Sequence, residues 1–346
     1  MRILIIKLSA IGDVVQSLAV LNSIKHSFPD AHVSWVVAEA AYPILADHPM
    51  LEDVFLFPRR RWGAMSSNLF AWPKLLSEVL SFSSLLRQKE YDIVLDMQGL
   101  LRSGLLCMVT RSGRKIGFDG SREMSSHFLN EKLPPYNPDE HAVSRYMKIA
   151  SYLGADTSNI EFPLPIRDGD RAQVMKWLDA AGIAPDRAIA FNVGASWTTK
   201  QWPPEAFSRL VKDCYEKLGL FPVLTGGPGD VNIASRIESN IHDVPVLNLV
   251  AKTSLLELAA LFEALPVVVT SDSGPMHIAM ASGTRVVAIF GPTAPWRTGP
   301  FGAGHEVVRL DIKCSPCFKR ECQHINCMTD ISPDMVFKRV EKIMEG

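Results

Sequence analysis

Short apolar runs alternate with amphipathic segments along most of the chain. Such runs are typical of strands buried on both faces of a parallel sheet, and the amphipathic segments are typical of the covering helices. The predicted strands are Met1–Ile6, His32–Val37, Val54–Phe57, Ile93–Asp96, Ile189–Val193, Phe221–Thr225, Val246–Asn248, Val267–Thr270 and Val286–Phe290. The predicted helices include Leu75–Gln88, Pro204–Leu218, Val231–Asn240, Ser254–Ala264 and Pro333–Met344. This alternation predicts an α/β fold.

The two halves of the chain begin alike, each with a strand whose loop opens a helix. These starts are RILIIKLSAIGDVVQ from Arg2 and AIAFNVGASWTTKQW from Ala188, and the segment FPLPIRDGDR at Phe162–Arg171 indicates a linker. We therefore predict two doubly wound, Rossmann-like domains facing a central cleft, at residues 1–165 and 166–332. A final helix at 333–346 could pack back across the domains. Ligands of such folds bind beyond the carboxyl ends of the strands.

Composition narrows the class of protein. The chain has 346 residues and a net charge of −1, which suits a soluble protein of two domains and argues against a nucleic-acid partner. Its apolar runs are shorter than the roughly 18 residues that a membrane span needs. Met1–Ile6 is followed by Lys7 and Gly12 rather than by a secretory signal. We expect the protein in the cytoplasm.

The stretch SDSGPMHIA is the most informative part of the sequence. A buried strand runs into Asp272, Ser273 and Gly274, and the helix that follows carries His277. The first backbone N–H groups of a helix are unpaired and its dipole is positive there, so this pattern predicts a phosphate site. The alternative is that Asp272 or Ser273 only caps the helix.

The turn after the Ile189–Val193 strand carries a second group of candidates. Lys200 could neutralise a departing diphosphate without a metal, and the hydroxyls of Ser196 and Thr199 could donate hydrogen bonds to phosphate. The alternative is a solvated surface lysine, which is the fate of most lysines.

Four cysteines are crowded into a short segment near the end of the chain. A Cys-x2-Cys pair suits zinc, but the later gaps are unlike the long separation between two zinc knuckles. A structural zinc site, a set of reduced thiols and a disulfide remain open, the disulfide being least favoured in a reducing compartment. The residues are Cys314, Cys317, Cys322 and Cys327, with His324 among them.

A catalytic metal is not predicted. The Asp-x-Asp sequence of the chain, Asp168-Gly169-Asp170, lies in the linker rather than beyond a strand. It indicates a solvated turn and the start of a helix.

Four motifs together resemble a known family. KLSAIGDVVQSLAVL, the DMQGL at Asp96–Leu100, the Lys200-Gln-Trp-Pro turn and SDSGPMHIA are similar to the lipopolysaccharide heptosyltransferases, which belong to glycosyltransferase family 9 and have the GT-B fold. The resemblance covers nearly the whole chain. The RRRW at Arg59–Trp62, the DMQGLLRSG and the SRE at Ser121–Glu123 resemble the heptosyltransferase I branch, which adds heptose to Kdo, more than the II branch, which adds heptose to heptose.

The resemblance implies an inverting glycosyltransferase of lipopolysaccharide core synthesis. It implies an ADP-heptose donor in the C-terminal domain, a Kdo-lipid A acceptor in the N-terminal domain and no required cofactor. It also implies peripheral contact with the inner leaflet of the inner membrane, where lipid A is anchored.

Asp13 is the candidate general base. It follows Gly12 at the first loop, where glycine allows close approach of the acceptor, and the family's aspartate at this place is thought to be the base. From the residues alone, Asp13 could equally be a helix N-cap. Asp96 is the next candidate for the base.

The resemblance also assigns donor roles. Asp230, after the Gly226-Gly227-Pro228-Gly229 turn, matches an acidic position used on the nucleoside side. Asp272 would contact the donor sugar, and Ser273, Gly274 and His277 would line the diphosphate. Trp197 departs from the family's run of small residues.

A basic group is expected to select the acceptor, whose carboxylates and phosphates suit arginine forks. The alternative for each arginine is a solvated surface. The candidates are Arg59, Arg60, Arg61, Arg102 and Arg122. The apolar segment Trp62–Leu86 beside them favours a core helix, with a membrane-facing surface as the alternative.

Other functions also fit the residues. Heptosyltransferase II and a sugar-nucleotide epimerase of the same fold would use similar strand-end side chains. A non-catalytic nucleotide-sugar sensor or scaffold would bind the donor without turnover.

Overall fold

The computed structural model describes residues 1–120 and 122–345, apart from the side chain of Arg122. The chain divides into two compact units, Met1–Pro165 and Ile166–Gly346. Each unit is a parallel sheet covered by helices, as the alternation of apolar strands and amphipathic segments predicts. Among the described residues, no helix combines the length and the apolar character needed to cross a bilayer.

The first unit contains a six-stranded sheet in the order β3-β2-β1-β4-β5-β6 within the described residues. Its strands are β1 (Arg2–Ile6), β2 (His32–Ala38), β3 (Asp53–Phe57), β4 (Glu90–Asp96), β5 (Arg111–Phe118) and β6 (Glu131–Leu133). Its helices are α1 (Ile11–Ser27), α2 (Tyr42–Leu45), α3 (Arg59–Ser66), α4 (Trp72–Leu86), α5 (Leu101–Val109) and α6 (Ala142–Tyr152). Short 3-10 segments lie at Leu69–Ala71 and Arg122–Phe128.

The second unit repeats this architecture, with the described strand order β12-β11-β10-β7-β8-β9. Its strands are β7 (Ala188–Asn192), β8 (Phe221–Thr225), β9 (Leu247–Asn248), β10 (Val267–Ser271), β11 (Arg285–Ile289) and β12 (Glu306–Val308). Its helices are α7 (Asp168–Ala180), α8 (Pro204–Leu218), α9 (Val231–Ser239), α10 (Leu255–Ala264), α11 (Gly274–Ala281), α12 (Pro295–Thr298), α13 (Asn326–Thr329) and α14 (Pro333–Glu345). Short 3-10 turns lie at Pro185–Arg187, Thr198–Lys200 and Pro228–Asp230.

Strand register brings the candidate loops of each unit to one edge of its sheet. Ile6, the last residue of β1, pairs with Asp96 at the end of β4. In the second unit, Asn192 at the end of β7 pairs with Thr270 in β10, and Ser271 pairs with Ile289. Because the strands are parallel, their carboxyl ends meet at the same edge.

The C-terminal helix α14 packs on the second unit. Val336 and Val340 are fully buried in the core of that unit. The guanidinium of Arg285, at the start of β11, donates to the carbonyl of Ile343 at 2.7 Å. These contacts join the last helix to the edge of the sheet formed by β11 and β12.

Three strands are absent from the sequence prediction. They are β5, β6 and β12. β5 has the sequence RSGRKIGF, in which polar and glycine residues outnumber the apolar ones, so it lacks the apolar run that marks a buried strand. β6 and β12 have three residues each, too few to show a period.

The apolar segment Trp62–Leu86 is not a core helix, contrary to the favoured interpretation. It covers most of α3, a 3-10 turn and α4, and Leu86 is the buried residue of α4. Several of its large apolar side chains are exposed. Periodicity shows that a helix has an apolar face, but it does not show whether a partner covers that face.

Candidate functional site

Asp13 lies in the first turn of α1, immediately beyond β1. Ala10 is the N-cap of this helix, and Asp13 occupies the third helical position. Asp13 is therefore not the N-cap, and that alternative is wrong. Its Oδ2 atom accepts a hydrogen bond from the backbone N–H of Ala10 at 3.0 Å. Its Oδ1 atom accepts one from the Tyr146 hydroxyl at 3.1 Å. The carboxylate therefore stabilises the helix start and also faces a buried polar group.

A buried lysine completes this group. The Nζ of Lys7 donates to the Tyr146 hydroxyl at 2.8 Å and approaches the carbonyl of Met97 at 3.3 Å. Burial lowers the pKa of Lys7, and the carboxylates of Asp13 and Asp96 partly offset that effect. Burial also raises the pKa of Tyr146 well above its usual value, so the hydroxyl keeps its proton. Lys7, Tyr146 and Asp13 form a continuous hydrogen-bonded chain.

Sequence reasoning misses Lys7 and Tyr146. Tyr146 lies 133 positions from Asp13 and sits on α6, so no local pattern links the two. Lys7 does carry a signal, since a lysine directly after a buried strand is placed at the ligand-binding edge of a parallel sheet. A buried lysine with a perturbed pKa is a recognised mark of functional sites.

Asp96 anchors the DMQGL loop. It is 2% exposed, and its Oδ1 atom accepts hydrogen bonds from the backbone N–H groups of Gln98 at 3.0 Å and Gly99 at 2.9 Å. The Gln98 side chain in turn accepts from the N–H of Leu8 at 2.9 Å. Burial raises the pKa of Asp96, which these backbone donors partly offset. The motif thus ties two strand-end loops together, and its carboxylate is far less accessible than that of Asp13.

The arginines of the RRRW motif differ from one another. The Arg59 guanidinium donates to the Ser9 hydroxyl at 3.0 Å, directly beside the loop that leads to Asp13. Arg60 is exposed, and its backbone N–H donates to Glu39 at 2.9 Å. Arg61 forms an ion pair with Glu78 on α4. Arg61 therefore links α3 to α4, whereas Arg59 lies beside the loop that leads to Asp13 and Arg60 is exposed.

Two further arginines were predicted at this site. Arg102, at the start of α5, is exposed and lines with Arg59 an otherwise largely apolar cavity of about 540 Å³. The side chain of Arg122 lies outside the described part of the chain. Gly12 is buried in the first turn of α1, next to Asp13.

In the second unit, Asp272 is the centre of the candidate donor site. It follows β10 and is 6% exposed. Its Oδ2 atom accepts from the Lys200 ammonium at 2.6 Å and from the Thr293 hydroxyl at 2.6 Å. Lys200 is largely buried, so it is not the solvated surface lysine of the alternative. Loops that follow β7, β10 and β11 therefore converge on one carboxylate.

The turn that carries Lys200 is braced by aromatic and backbone contacts. The Lys200 ammonium lies 4.4 Å from the centre of the Trp197 ring, and the Arg320 guanidinium lies 4.9 Å from the same ring. The Thr199 hydroxyl is buried and donates to the carbonyl of Lys319 at 2.9 Å, so a phosphate would have to compete for it. Ser196 is exposed. Arg320 and Thr293 are missed by sequence reasoning because they join the site only in the folded unit.

Asp230 packs against two glycines at the end of β7 and β8. Its Oδ2 atom accepts from the backbone N–H of Gly227 at 2.7 Å. A Cβ atom built on Gly194 would overlap the Asp230 carboxylate. Glycine at position 194 therefore allows the acidic side chain to lie at the strand ends.

The start of α11 has the geometry expected of an anion site. Ser273 is its N-cap, but its side chain makes no capping hydrogen bond and instead lies 3.2 Å from the Thr270 hydroxyl. Gly274 begins the helix, and His277 in the first turn is buried. The Ser273 side chain makes no capping bond, and the Asp272 carboxylate is bonded to Lys200 and Thr293, which is consistent with an anion at the helix start.

The cysteine segment joins both loops of the donor site. The Ser315 hydroxyl donates to the carbonyl of Gly291 at 2.6 Å, and the N–H of Cys317 donates to that of Pro292 at 3.0 Å, both in the loop after β11. In the loop after β7, the Thr199 hydroxyl donates to the carbonyl of Lys319 in the segment at 2.9 Å. The clustered cysteines are free thiols, and Cys327 among them is buried. Within the described residues, no group of three or more histidine, cysteine or acidic side chains is placed to hold a metal. The contacts observed in the structure thus fasten the segment to the loops after β7 and β11.

The sequence matches the family model described as glycosyltransferase family 9 (heptosyltransferase) over residues 79–327. Among similar curated proteins, lipopolysaccharide heptosyltransferase 1 of Pseudomonas aeruginosa is 29% identical over 94% of this chain and 88% of its own. Lipooligosaccharide heptosyltransferase 2 of Haemophilus ducreyi is 26% identical over 99% of each chain. The relatives of this chain therefore include more than one kind of heptosyltransferase.

Solved structures agree with this assignment. Escherichia coli heptosyltransferase WaaC with ADP-2-deoxy-2-fluoro heptose is 27% identical, with a TM-score of 0.76 over 99% of both chains. This match confirms the predicted GT-B fold. The family model spans well over half of the sequence and includes three of the four motifs, so it confirms the family resemblance. The chain belongs to glycosyltransferase family 9, the heptosyltransferase family, and is a glycosyltransferase.

Proposed function

We propose that the protein is heptosyltransferase I, which transfers heptose from ADP-L-glycero-D-manno-heptose to Kdo of the lipopolysaccharide inner core. The observation that carries the proposal is the alignment with a heptosyltransferase 1 along nearly the whole chain. Heptosyltransferase II is the second candidate, because a relative of that kind aligns over 99% of the chain.

The proposed donor is supported by the group around Asp272. Departure of ADP leaves negative charge on a diphosphate, and a positioned cation stabilises that charge in the transition state. Lys200 supplies the cation, the start of α11 supplies backbone N–H groups, and Asp272 can accept hydrogen bonds from the sugar hydroxyls. The related WaaC was solved with ADP-2-deoxy-2-fluoro heptose, a ligand of the class proposed here as donor.

In the proposed reaction, Asp13 is the general base. The acceptor hydroxyl attacks the anomeric carbon from the face opposite ADP, the carbon–oxygen bond to the diphosphate breaks, and the hydroxyl proton passes to the Asp13 carboxylate. The configuration at the anomeric carbon is inverted. A weak base suffices because the hydroxyl becomes far more acidic as its oxygen bonds to carbon. The transfer is proposed to need no cofactor.

The acceptor is proposed to be Kdo-lipid A, whose carboxylates suit Arg59, Arg60 and Arg102. Because lipid A is anchored in a bilayer, the protein is proposed to work in the cytoplasm in peripheral contact with the inner leaflet.

ADP release tests the proposed function. The protein is incubated with ADP-heptose and either Kdo2-lipid A or its heptosylated form, and ADP is measured in each mixture. Heptosyltransferase I requires ADP release with the first acceptor and little with the second. The reverse preference indicates heptosyltransferase II. Donor binding without turnover indicates a sensor, and conversion of a UDP-sugar without an acceptor indicates an epimerase.

Replacing Arg60 with alanine is expected to weaken the acceptor side alone. The guanidinium is exposed beyond β3, and the residue's observed bond to Glu39 uses the backbone and survives the change. Loss of a charge-assisted contact should raise the acceptor KM about tenfold, with ADP affinity unchanged. Initial rates at varied acceptor and ADP titration measure the two effects.

Arg111→Ala is the matched control, because Arg111 is exposed at the amino end of β5. It should leave both constants unchanged. If Arg60→Ala weakens ADP binding as much as it raises the acceptor KM, Arg60 belongs to the donor site instead.

The cysteine segment is proposed to be structural. Cys314 is exposed, so Cys314→Ser should fold normally and keep turnover within about threefold of wild type, as surface substitutions usually do. Elemental analysis of protein purified without added metal tests the zinc alternative. A stoichiometric metal that Cys314→Ser loses would support that alternative. Abolished turnover in a folded Cys314→Ser protein would contradict a purely structural role.

A further inference from the structure

An apolar ridge stands exposed on the first unit. It consists of five large side chains on the 3-10 turn and α4, namely Leu69, Phe70, Trp72, Leu76 and Leu80. Phe70 is 96% exposed, Leu69 77%, Leu76 and Leu80 60% each, and Trp72 54%. Contiguous exposed apolar groups of this size mark interaction sites in soluble proteins.

The ridge is half of a broad apolar face on α4. Trp72, Leu76 and Leu80 recur every four residues and form one stripe along the helix. The adjoining stripe, with Leu75 and Val79, lines the cavity beneath the helix. One part of the apolar face of α4 therefore packs against the unit, and the other part is exposed.

Basic residues flank the ridge along the sequence. Residues 59–87 contain five arginines or lysines and one acidic residue, although the whole chain has a net charge of −1. The acidic residue, Glu78, is paired with Arg61. The remaining cations are exposed, and they are Arg59, Arg60, Lys74 and Arg87. The surface thus combines aromatic and aliphatic groups with four positive charges that no acidic residue of the segment balances.

We infer that the ridge docks this unit on a bilayer that carries anionic headgroups. Apolar and aromatic side chains flanked by lysine and arginine are the pattern of helices that lie in the membrane interface. Phe70 and Trp72 enter the boundary between headgroups and acyl chains, and the cations meet the phosphates. A second copy of this chain fits less well, because two such faces would oppose their positive charges.

This inference deepens the proposed function by naming the surface that meets the membrane, and it rests on that function only for the identity of the membrane. Arg59 lines the cavity beneath α4 and donates a hydrogen bond to the Ser9 hydroxyl, beside the loop that leads to Asp13. Docking through the ridge therefore brings the bilayer surface to the part of the unit that carries the candidate base.

Vesicle co-sedimentation tests the inference without acceptor or donor. The full-length protein is mixed with vesicles of phosphatidylcholine, or of phosphatidylcholine with phosphatidylglycerol. Binding is expected to the anionic vesicles, and it should weaken as salt rises. The double variant Leu69→Ser/Phe70→Ser should bind at least about tenfold more weakly, since it removes two large apolar groups from the interface. Lys74→Glu/Arg87→Glu should lose a similar factor on anionic vesicles.

Met175→Ser is the matched control, because Met175 is a partly exposed apolar residue on α7 in the second unit. It should bind vesicles as wild type does. Failure of the wild-type protein to bind anionic vesicles overturns the inference, and so does wild-type binding by Leu69→Ser/Phe70→Ser. A solution dimer that this double variant abolishes, seen by light scattering, would assign the ridge to a second copy instead.

Activity separates this inference from the proposed function. On a water-soluble acceptor without acyl chains, Leu69→Ser/Phe70→Ser should keep the wild-type kcat. If neither protein turns over that acceptor or Kdo2-lipid A, the proposed function fails while the vesicle result still stands.

Discussion

Asp13→Asn is expected to lower kcat by about 10²- to 10⁴-fold, the usual contribution of a positioned general base. The amide cannot take the proton of the acceptor hydroxyl, while its size matches that of the carboxylate. Donor affinity should be unchanged, because the change removes no donor-binding group of the second unit. Single-turnover rates and ADP titration measure the two quantities.

The structure also sets the stability expected of Asp13→Asn. The carboxylate accepts hydrogen bonds from Ala10 and Tyr146 with separate oxygens, and an asparagine has one oxygen to offer. One bond is lost, so the free energy of unfolding should fall by about 1 kcal/mol. A residue that serves only the helix start would show this stability loss with near-normal turnover.

Asp96→Asn is the matched control for the charge change. Its amide oxygen can still accept from the N–H groups of Gln98 and Gly99, so the DMQGL loop should keep its form. We expect turnover within about tenfold of wild type. Removing a carboxylate that does not touch the reacting atoms lowers the rate less than removing the general base. The opposite order of effects, with Asp96→Asn the more damaging variant, would transfer the role of base to Asp96.

Lys200→Met is expected to lower kcat/KM by about 10²- to 10³-fold, comparable to the loss of one preorganised donor at a developing negative charge. The ammonium is the cation nearest Asp272 and is proposed to stabilise the departing diphosphate. Methionine keeps most of the length of the side chain and removes the charge. Lys200→Arg keeps the charge but changes its shape, so it should retain more activity than Lys200→Met.

A double variant separates the catalytic role of Lys200 from its structural role. The Lys200 and Asp272 side chains are 14% and 7% exposed, and removal of one partner of a buried pair typically costs about 3–5 kcal/mol. Lys200→Met should therefore be less stable, and Lys200→Met/Asp272→Asn should recover much of the loss in thermal unfolding. Activity should not recover. Restored turnover in the double variant would mean that Lys200 serves only to neutralise Asp272.

The organisation of the sheets could be predicted because periodicity is a local property. Buried parallel strands such as β1 and β10 are continuous apolar runs, and a polar residue that follows one of them lies at the ligand-binding edge. Asp13, Lys200 and Asp272 were found in this way. Strand β5 was not predicted. It is stabilised by pairing with β4, and this pairing leaves little trace in the sequence of β5.

By itself, the sequence determined two parallel α/β halves, the strand-end loops and the motifs of glycosyltransferase family 9. Only the tertiary structure decided which side chains share a site. Tyr146 reaches Asp13 from α6, and Thr293 meets Lys200 on Asp272, because packing joins residues that are distant along the chain. It also decided that Leu76 and Leu80 are left exposed by the rest of the unit. An apolar stripe in a sequence has the same pattern whether protein, solvent or membrane lies against it, and only burial in the folded unit shows whether protein covers it.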